Sequence, residues 1–185
     1  MESGSTSVIT LRPLDPYSDA EALMEWYSDE RVSKFCSWDT FASKEAAIDH
    51  VVNTVTHHPW HKAICLSGRP VGSISVTPFP GDNGFRAEIG YVVGSAYWGK
   101  GIATQAVKMA ANSVFVEWGR LERLEAVVDV ENPASQRVLE KAGFTREGVL
   151  RKYYTLKGRP RDARNQMGVS QICHPQHLLQ VLELQ

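Results

Sequence analysis

Gly94-Ser95-Ala96-Tyr97-Trp98-Gly99-Lys100-Gly101-Ile102-Ala103-Thr104 is the stretch whose reading decides the fold. It follows a strand-like run from Arg86 to Val93 and opens a helix-like run in which Ile102, Ala103, Ala106, Val107, Ala110 and Val114 share one face, with Gly119 just past the end. Glycines between a strand and a helix let backbone N–H groups approach an anion whose charge the helix dipole favours. A tight strand-to-helix turn would use the same glycines. Two phosphate-binding patterns nearly fit, and each fails at one position. Gly94 to Gly101 follows the nucleotide-triphosphatase spacing, but Gly101 stands where a Ser or Thr would hold magnesium. Gly99 to Thr104 follows the dinucleotide fingerprint, but Thr104 replaces the third glycine and the loop follows a late strand.

Working outward, Val8 to Leu14 alternates as a first strand and is broken at Pro13. Ala20, Leu23, Met24 and Tyr27 recur at helical spacing, and Ser43 opens a second helix that ends before His57-His58-Pro59. Trp60 to Leu66 and Val71 to Val76 read as a hairpin across Ser67-Gly68-Arg69-Pro70, and Pro78 to Gly84 as a loop. Leu124 to Val130 is a Val-rich strand, and Asn132-Pro133 starts a helix that Gly143 stops. Phe144 to Leu156 and Ala163 to Ile172 are extended runs around Lys157-Gly158-Arg159-Pro160, and Leu178 to Leu184 is a short amphipathic close. A strand–helix–strand crossover from 86 to 130 implies an α/β fold around a mixed sheet with one parallel pair, flanked by antiparallel hairpins.

The length of 185 residues predicts one domain spanning 1–185. Twenty Lys plus Arg against 21 Asp plus Glu leave a net charge of −1, which gives no bulk attraction to nucleic acid or to an anionic membrane. Cys36, Cys65 and Cys173 are odd in number and form no CxxC pair, which points to a reducing compartment. No basic leader and no long apolar run is read, so the expected location is the cytoplasm, with the nucleus left open.

Four ordered segments carry a family resemblance: Glu88-Ile89-Gly90-Tyr91-Val92-Val93, Trp98-Gly99-Lys100-Gly101-Ile102-Ala103-Thr104, Asn132-Pro133-Ala134-Ser135 and Glu140-Lys141-Ala142-Gly143-Phe144. Together they resemble the GNAT superfamily of acetyl-coenzyme A dependent N-acetyltransferases. Leu11-Arg12-Pro13-Leu14 and Glu147-Gly148-Val149-Leu150-Arg151 are similar to its ribosomal-protein N-terminal acetyltransferase branch. The resemblance implies a mixed, mostly antiparallel sheet of about seven strands with one splayed parallel pair, flanked by about four helices. It implies acetyl-CoA as cosubstrate, no metal, and direct transfer to a primary amine. The acceptor is expected to be a protein or peptide N-terminal α-amine. A polyamine or aminoglycoside-like amine is the first alternative, and a coenzyme-binding module with weakened catalysis the second.

The same resemblance assigns residues. Main-chain groups of Trp98, Gly99, Lys100, Gly101, Ile102, Ala103 and Thr104 would hold the coenzyme pyrophosphate, with Gly101 and Ala103 at the small positions and Trp98 at the first. Val92 and Val93 would contact the pantetheine arm by their main chains. Asn132, Ser135 and Leu139 share a helix face, which in the family looks at the thioester. Asn132 doubles as an N-cap, Ser135 offers a hydroxyl to the leaving sulfur, and Leu139 stands where many relatives carry an acidic tyrosine. Glu88 is the chosen base, since the attacking amine must be neutral and a carboxylate inside an apolar strand asks for a reason. The competing role for Glu88 is a sheet-edge salt bridge. Tyr153 and Tyr154 are acceptor-site or core residues.

Pro59 between His57 and His61 argues against a helix that would align them for metal, and Cys173, His174 and His177 have no fourth ligand nearby, so neither group is read as a zinc site. Between 146 and 164, seven basic residues stand against Glu147 and Asp162, a field that suits an acidic protein substrate or an RNA-bound partner, or is simply a solvated face. No direct nucleic-acid or membrane partner is expected, and the assembly is left between monomer and homodimer.

Overall fold

The computed structural model describes residues 8–169. Cys173, His174, His177 and the segment Leu178 to Leu184 lie outside the described residues, as does the end of the last extended run. Seven strands form one sheet: β1 (Ile9–Arg12), β2 (His61–Leu66), β3 (Arg69–Pro78), β4 (Arg86–Val93), β5 (Arg123–Asp129), β6 (Thr145–Leu156) and β7 (Arg159–Val169). Their order is β1-β2-β3-β4-β5-β7-β6, with every pair antiparallel except β4 and β5.

Among the described residues five helices flank the sheet: α1 (Ala20–Tyr27), α2 (Glu30–Ser33), α3 (Lys44–His50, continued by a π-helical turn, Val51–Val55), α4 (Ile102–Glu117) and α5 (Pro133–Ala142). Their starts follow capping chemistry. Ser43 accepts the N–H of Ala46 at 3.2 Å, and Asn132 accepts that of Ser135 at 3.1 Å, with Pro133 at the first helical position. Gly143 ends α5 in the left-handed conformation at φ 99°. α2 is an addition to the sequence reading. With four residues it is too short to express a period, and it exists because the Asp29 carboxylate caps the N–H of Arg31 at 2.9 Å. The β2–β3 hairpin also turns more tightly than the sequence suggests, with β3 already running at Arg69.

Strand alternation divides the core into two layers. Ala87, Ile89 and Val93 of β4, with Leu124, Ala126 and Val128 of β5, pack under α4 (Ala106, Val107, Ala110, Val114) and under Leu139 of α5. The opposite face carries α1, α2 and α3, through Leu23, Trp26, Tyr27, Val32, Ala47 and Val51, against Ala63, Cys65 and Val92. Asp19 ties β1 to α1 by accepting both guanidinium arms of Arg12 at 2.7 Å. Burial opposes ionisation of Asp19, but hydrogen bonds from Arg12 and from the Asp15 N–H outweigh it and hold its carboxyl below the usual range.

β3 and β4 approach so closely at Gly72 that a Cβ there would lie 2.2 Å from the Val92 carbonyl oxygen and 2.9 Å from the Val93 Cα. Backbone on both sides cannot yield as a side-chain tip would. Gly72→Ala is therefore expected to destabilise the protein by about 2 kcal/mol or more, measured as a lowered urea midpoint.

Candidate active site

Pairing between β4 and β5 lasts for three positions, Arg86↔Arg123, Ala87↔Leu124 and Glu88↔Glu125, and then stops. Beyond Glu88 the two strands part, although β4 continues to Val93 and β5 to Asp129. The phase of the β3–β4 ladder shows which backbone groups this leaves open. Gly94 donates to the Val71 carbonyl at 2.8 Å and Phe79 to the Arg86 carbonyl at 3.0 Å. Residues of β4 in phase with these, Glu88, Gly90 and Val92, direct their N–H and C=O to β3, while Tyr91 and Val93 direct theirs toward the parted side. The main chain of Val92 is thus spent on Ser73, its ladder partner, and the open groups belong to Val93 and to Tyr91. Of the two residues the resemblance assigns, Val93 is open and Val92 is not, and Tyr91 joins Val93; the phase of the ladder decides this and has no local signature in the sequence.

The loop after β4 adds a second row of donors. Gly99 and Gly101 hold φ of 76° and 77°, a left-handed geometry natural to glycine, and a Cβ on either would meet nothing within 4 Å. Conformation, not crowding, selects glycine here, and the space above the loop is open. Among the described residues no side chain caps α4, so the N–H groups of its first turn, Ile102, Ala103 and Thr104, lack intrahelical acceptors. The Ile102 side chain is buried in the core, so only its backbone serves this surface. Trp98 is half exposed, and its indole N–H donates to the Val93 carbonyl at 2.7 Å, fastening loop to strand. Lys100 lies over the Tyr97 ring at 5.4 Å.

Across the gap, Ser135 in the first turn of α5 meets Tyr91. Their hydroxyl oxygens are 2.7 Å apart, and the Tyr91 hydroxyl also donates to the Ser135 carbonyl at 3.0 Å. Burial pushes the Tyr91 phenol up to about 12, with the Ser135 hydrogen bond pulling the other way. Asn132 spends its side-chain oxygen on the cap, and Leu139 is fully buried in the core.

Glu88 projects from the opposite face, where the strands begin to part. Its carboxylate has no hydrogen bond or ion pair among the described residues, in contrast to the salt bridge the sequence allowed. Its neighbour Glu125 is almost fully buried between Arg86 and Arg123, at 2.5 and 3.0 Å. Burial raises the Glu88 carboxyl above its ordinary value, and the Glu125 charge adds to the shift. At the far end of β5, Asp129 accepts the Tyr154 hydroxyl at 2.7 Å, two Arg161 nitrogens at 2.8 Å and the Glu131 N–H at 2.8 Å. Burial disfavours its charge, but Arg161 and Tyr154 outweigh it and hold the carboxyl low. Tyr154 thus anchors the β6–β7 hairpin, while Tyr153 is exposed. Among the described residues no group of three or more His, Cys, Asp or Glu side chains is arranged to hold a metal.

Comparison with known proteins identifies the family and the fold. The family model for the acetyltransferase (GNAT) domain matches residues 9–145. The uncharacterized N-acetyltransferase p20 of Bacillus licheniformis is 32% identical over 165 residues, covering 86% of this chain and 91% of that protein. The spermidine N(1)-acetyltransferase of Escherichia coli K12 is 36% identical over 78 residues, 42% of this chain and 41% of its own. Among solved structures, a GNAT-family acetyltransferase from Bacillus anthracis superposes with a TM-score of 0.77 at 27% identity, over 87% of this chain and 94% of its own. RimL, a ribosomal L7/L12 α-N-protein acetyltransferase solved with coenzyme A, shares the fold with a TM-score of 0.75 at 24% identity, over 89% and 95%. The chain belongs to the GNAT acetyltransferases and is an acetyl-CoA dependent N-acetyltransferase acting on an amine.

Gly101 and Gly119 both have open space where a Cβ would stand, but only Gly101 has positive φ. Gly101→Ala is expected to lose about 1–2 kcal/mol of stability while Gly119→Ala stays near wild type, a contrast read directly by denaturant titration of the two variants.

Proposed function

We propose that this N-acetyltransferase acetylates the α-amine of a peptide or protein N-terminus, with Glu88 as the base that receives the amine proton. The observation that carries the reading is the unpaired, burial-raised carboxylate of Glu88 at the parting of β4 and β5. The resemblance of the Leu11-Arg12-Pro13-Leu14 and Glu147 to Arg151 segments to the N-terminal acetyltransferase branch supports the choice of acceptor.

The residues present fit acetyl-CoA. The first-turn N–H groups of α4 and the Gly99 to Gly101 backbone form an anion-binding end suited to a pyrophosphate. The open N–H groups of Tyr91 and Val93 suit the amides of a pantetheine arm lying along β4 in place of a strand partner. Acetyl-CoA supplies the acetyl group already activated as a thioester.

The protein's own contribution is arrangement. Glu88 faces the α1–α3 side of the sheet and the Tyr91–Ser135 pair the α4–α5 side, so the amine and the departing sulfur are handled on opposite sides of the parted strands. When the Tyr91 hydroxyl turns its proton from the Ser135 carbonyl to Ser135 Oγ, the Ser135 proton is freed for a hydrogen bond toward the sulfur and Tyr91 holds Ser135 in place. A phenol near 12 is a weaker acid than an ordinary thiol at about 8.5, so the pair stabilises a thiolate by hydrogen bonding without surrendering its own proton. A backbone N–H preorganised toward the developing carbonyl charge contributes about 3 kcal/mol. Leu139 needs no acidic role in this scheme, which keeps the protein an active enzyme and not a binding module.

The active form of Glu88 is the carboxylate, so activity falls as pH drops through its raised value. The acid limb of kcat/KM should lie above the ordinary carboxylate region of about 4.3, and Glu88→Gln should remove that limb and lower kcat/KM by about 10²–10⁴-fold, followed by free-thiol release. Because the folded-state value is raised, the buried carboxylate costs stability above it, so the same variant should melt at the wild-type temperature or higher.

A further inference from the structure

An open surface cavity of about 320 Å³, with Lys34, Lys157 and Arg159 exposed at its rim, lies between the end of α2 and the β6–β7 turn, on the same face of the sheet as Glu88. Its walls include the cations Lys34, Lys157, Arg159 and Arg161, against the single carboxylate Glu131, with Phe35 and Leu156 as apolar lining. Arg161 is committed to Asp129 and Glu131, and Lys157 to the exposed Asp39. Lys34 and Arg159 have no carboxylate partner among the described residues. Four cations converging on one concave surface, two of them uncompensated, leave the cavity positive in a chain whose net charge is −1. Such a field attracts an anion and repels a polycation.

The position of the cavity fixes its relation to the chemistry. Glu131 directly precedes Asn132 and α5, and Arg161 is clamped to Asp129. Asp129 stands four residues along β5 from Glu125, the ladder partner of Glu88. At about 3.3 Å per residue the cavity begins about 13 Å from the level of Glu88, the span of about four extended residues.

We propose that this cavity binds an anionic group of the acceptor, a carboxylate or phosphate about 13 Å from the reacting nitrogen, so that the preferred substrate is a peptide with an acidic or phosphorylated side chain three to five residues after its free amine. The proposal rests on Glu88 marking the place of the amine. It also sets the acceptor apart from spermidine, whose charges are all positive.

Acetylation kinetics on matched decapeptides test it: one with Asp and Glu at positions four to six, one with Asn and Gln there, one with phosphoserine there, and spermidine as a non-peptide amine. The acidic and phosphorylated peptides should have KM values at least about threefold below the neutral one at low salt, an advantage that fades as ionic strength rises. The better of the two identifies the anion. In the Lys34→Gln/Arg159→Gln double variant, the acidic and neutral peptides should give equal KM. Equal KM for both peptides with the wild-type protein overturns the anion site while leaving the α-amine reading intact. Turnover of spermidine alone overturns both. An unchanged pH profile in Glu88→Gln removes the reference point for the amine and overturns the spacing argument even if acidic peptides are preferred.

Discussion

The rest of the structure depends on the interruption of one parallel pairing. β4 and β5 are joined for three positions and then separate, and a parted pair inside a sheet leaves backbone hydrogen-bonding groups without partners, which is costly when they are shielded from water. The neighbouring strands do not close the gap: β3 takes the groups of Glu88, Gly90 and Val92, β7 takes the outer side of β5, and the indole of Trp98 satisfies only the Val93 carbonyl. What is left is a strip of donors and acceptors running toward the uncapped N-terminus of α4.

Three carboxylates on the face opposite α4 show how the same residue type is given different work. Glu125 lies between two guanidinium groups, and Asp129 receives four hydrogen bonds. Both are buried charges whose desolvation is offset by partners, and they fasten β4, β5 and the β6–β7 hairpin to one another. Glu88 has no such partner among the described residues, and the charge next to it is negative. Spending the nearby arginines on Glu125 leaves Glu88 as the carboxylate with proton affinity to spare, which is a chemical property and a small structural burden.

Much of this was readable along the chain, because the signals are local. The α4 stripe of Ile102, Ala106, Val107, Ala110 and Val114, the Asn132 cap followed by Pro133, and the Gly143 stop each depend on residues within a turn or two. So does the left-handed Gly101. The pairing of the Tyr91 and Ser135 hydroxyls was not readable, since 44 residues separate them and neither has a local signature. The four-residue α2 was equally silent, and with it the wall that Lys34 and Phe35 give to the cavity.

Sequence alone determined the order of the elements apart from α2, the mixed sheet with its parallel crossover and the glycine-bearing turn between strand and helix, because periodicity, capping and turn chemistry are properties of neighbouring residues, and four ordered motifs carried the family resemblance. Only the tertiary structure decided where β4 leaves β5, which of Val92 and Val93 offers its backbone, that the Glu88 carboxylate is unpaired among the described residues while those of Glu125 and Asp129 are not, and that Lys34, just past α2, and basic residues of the final hairpin converge on one cavity. Those are questions of ladder phase and of charges brought together from distant parts of the chain, and they are answered when the sheet assembles.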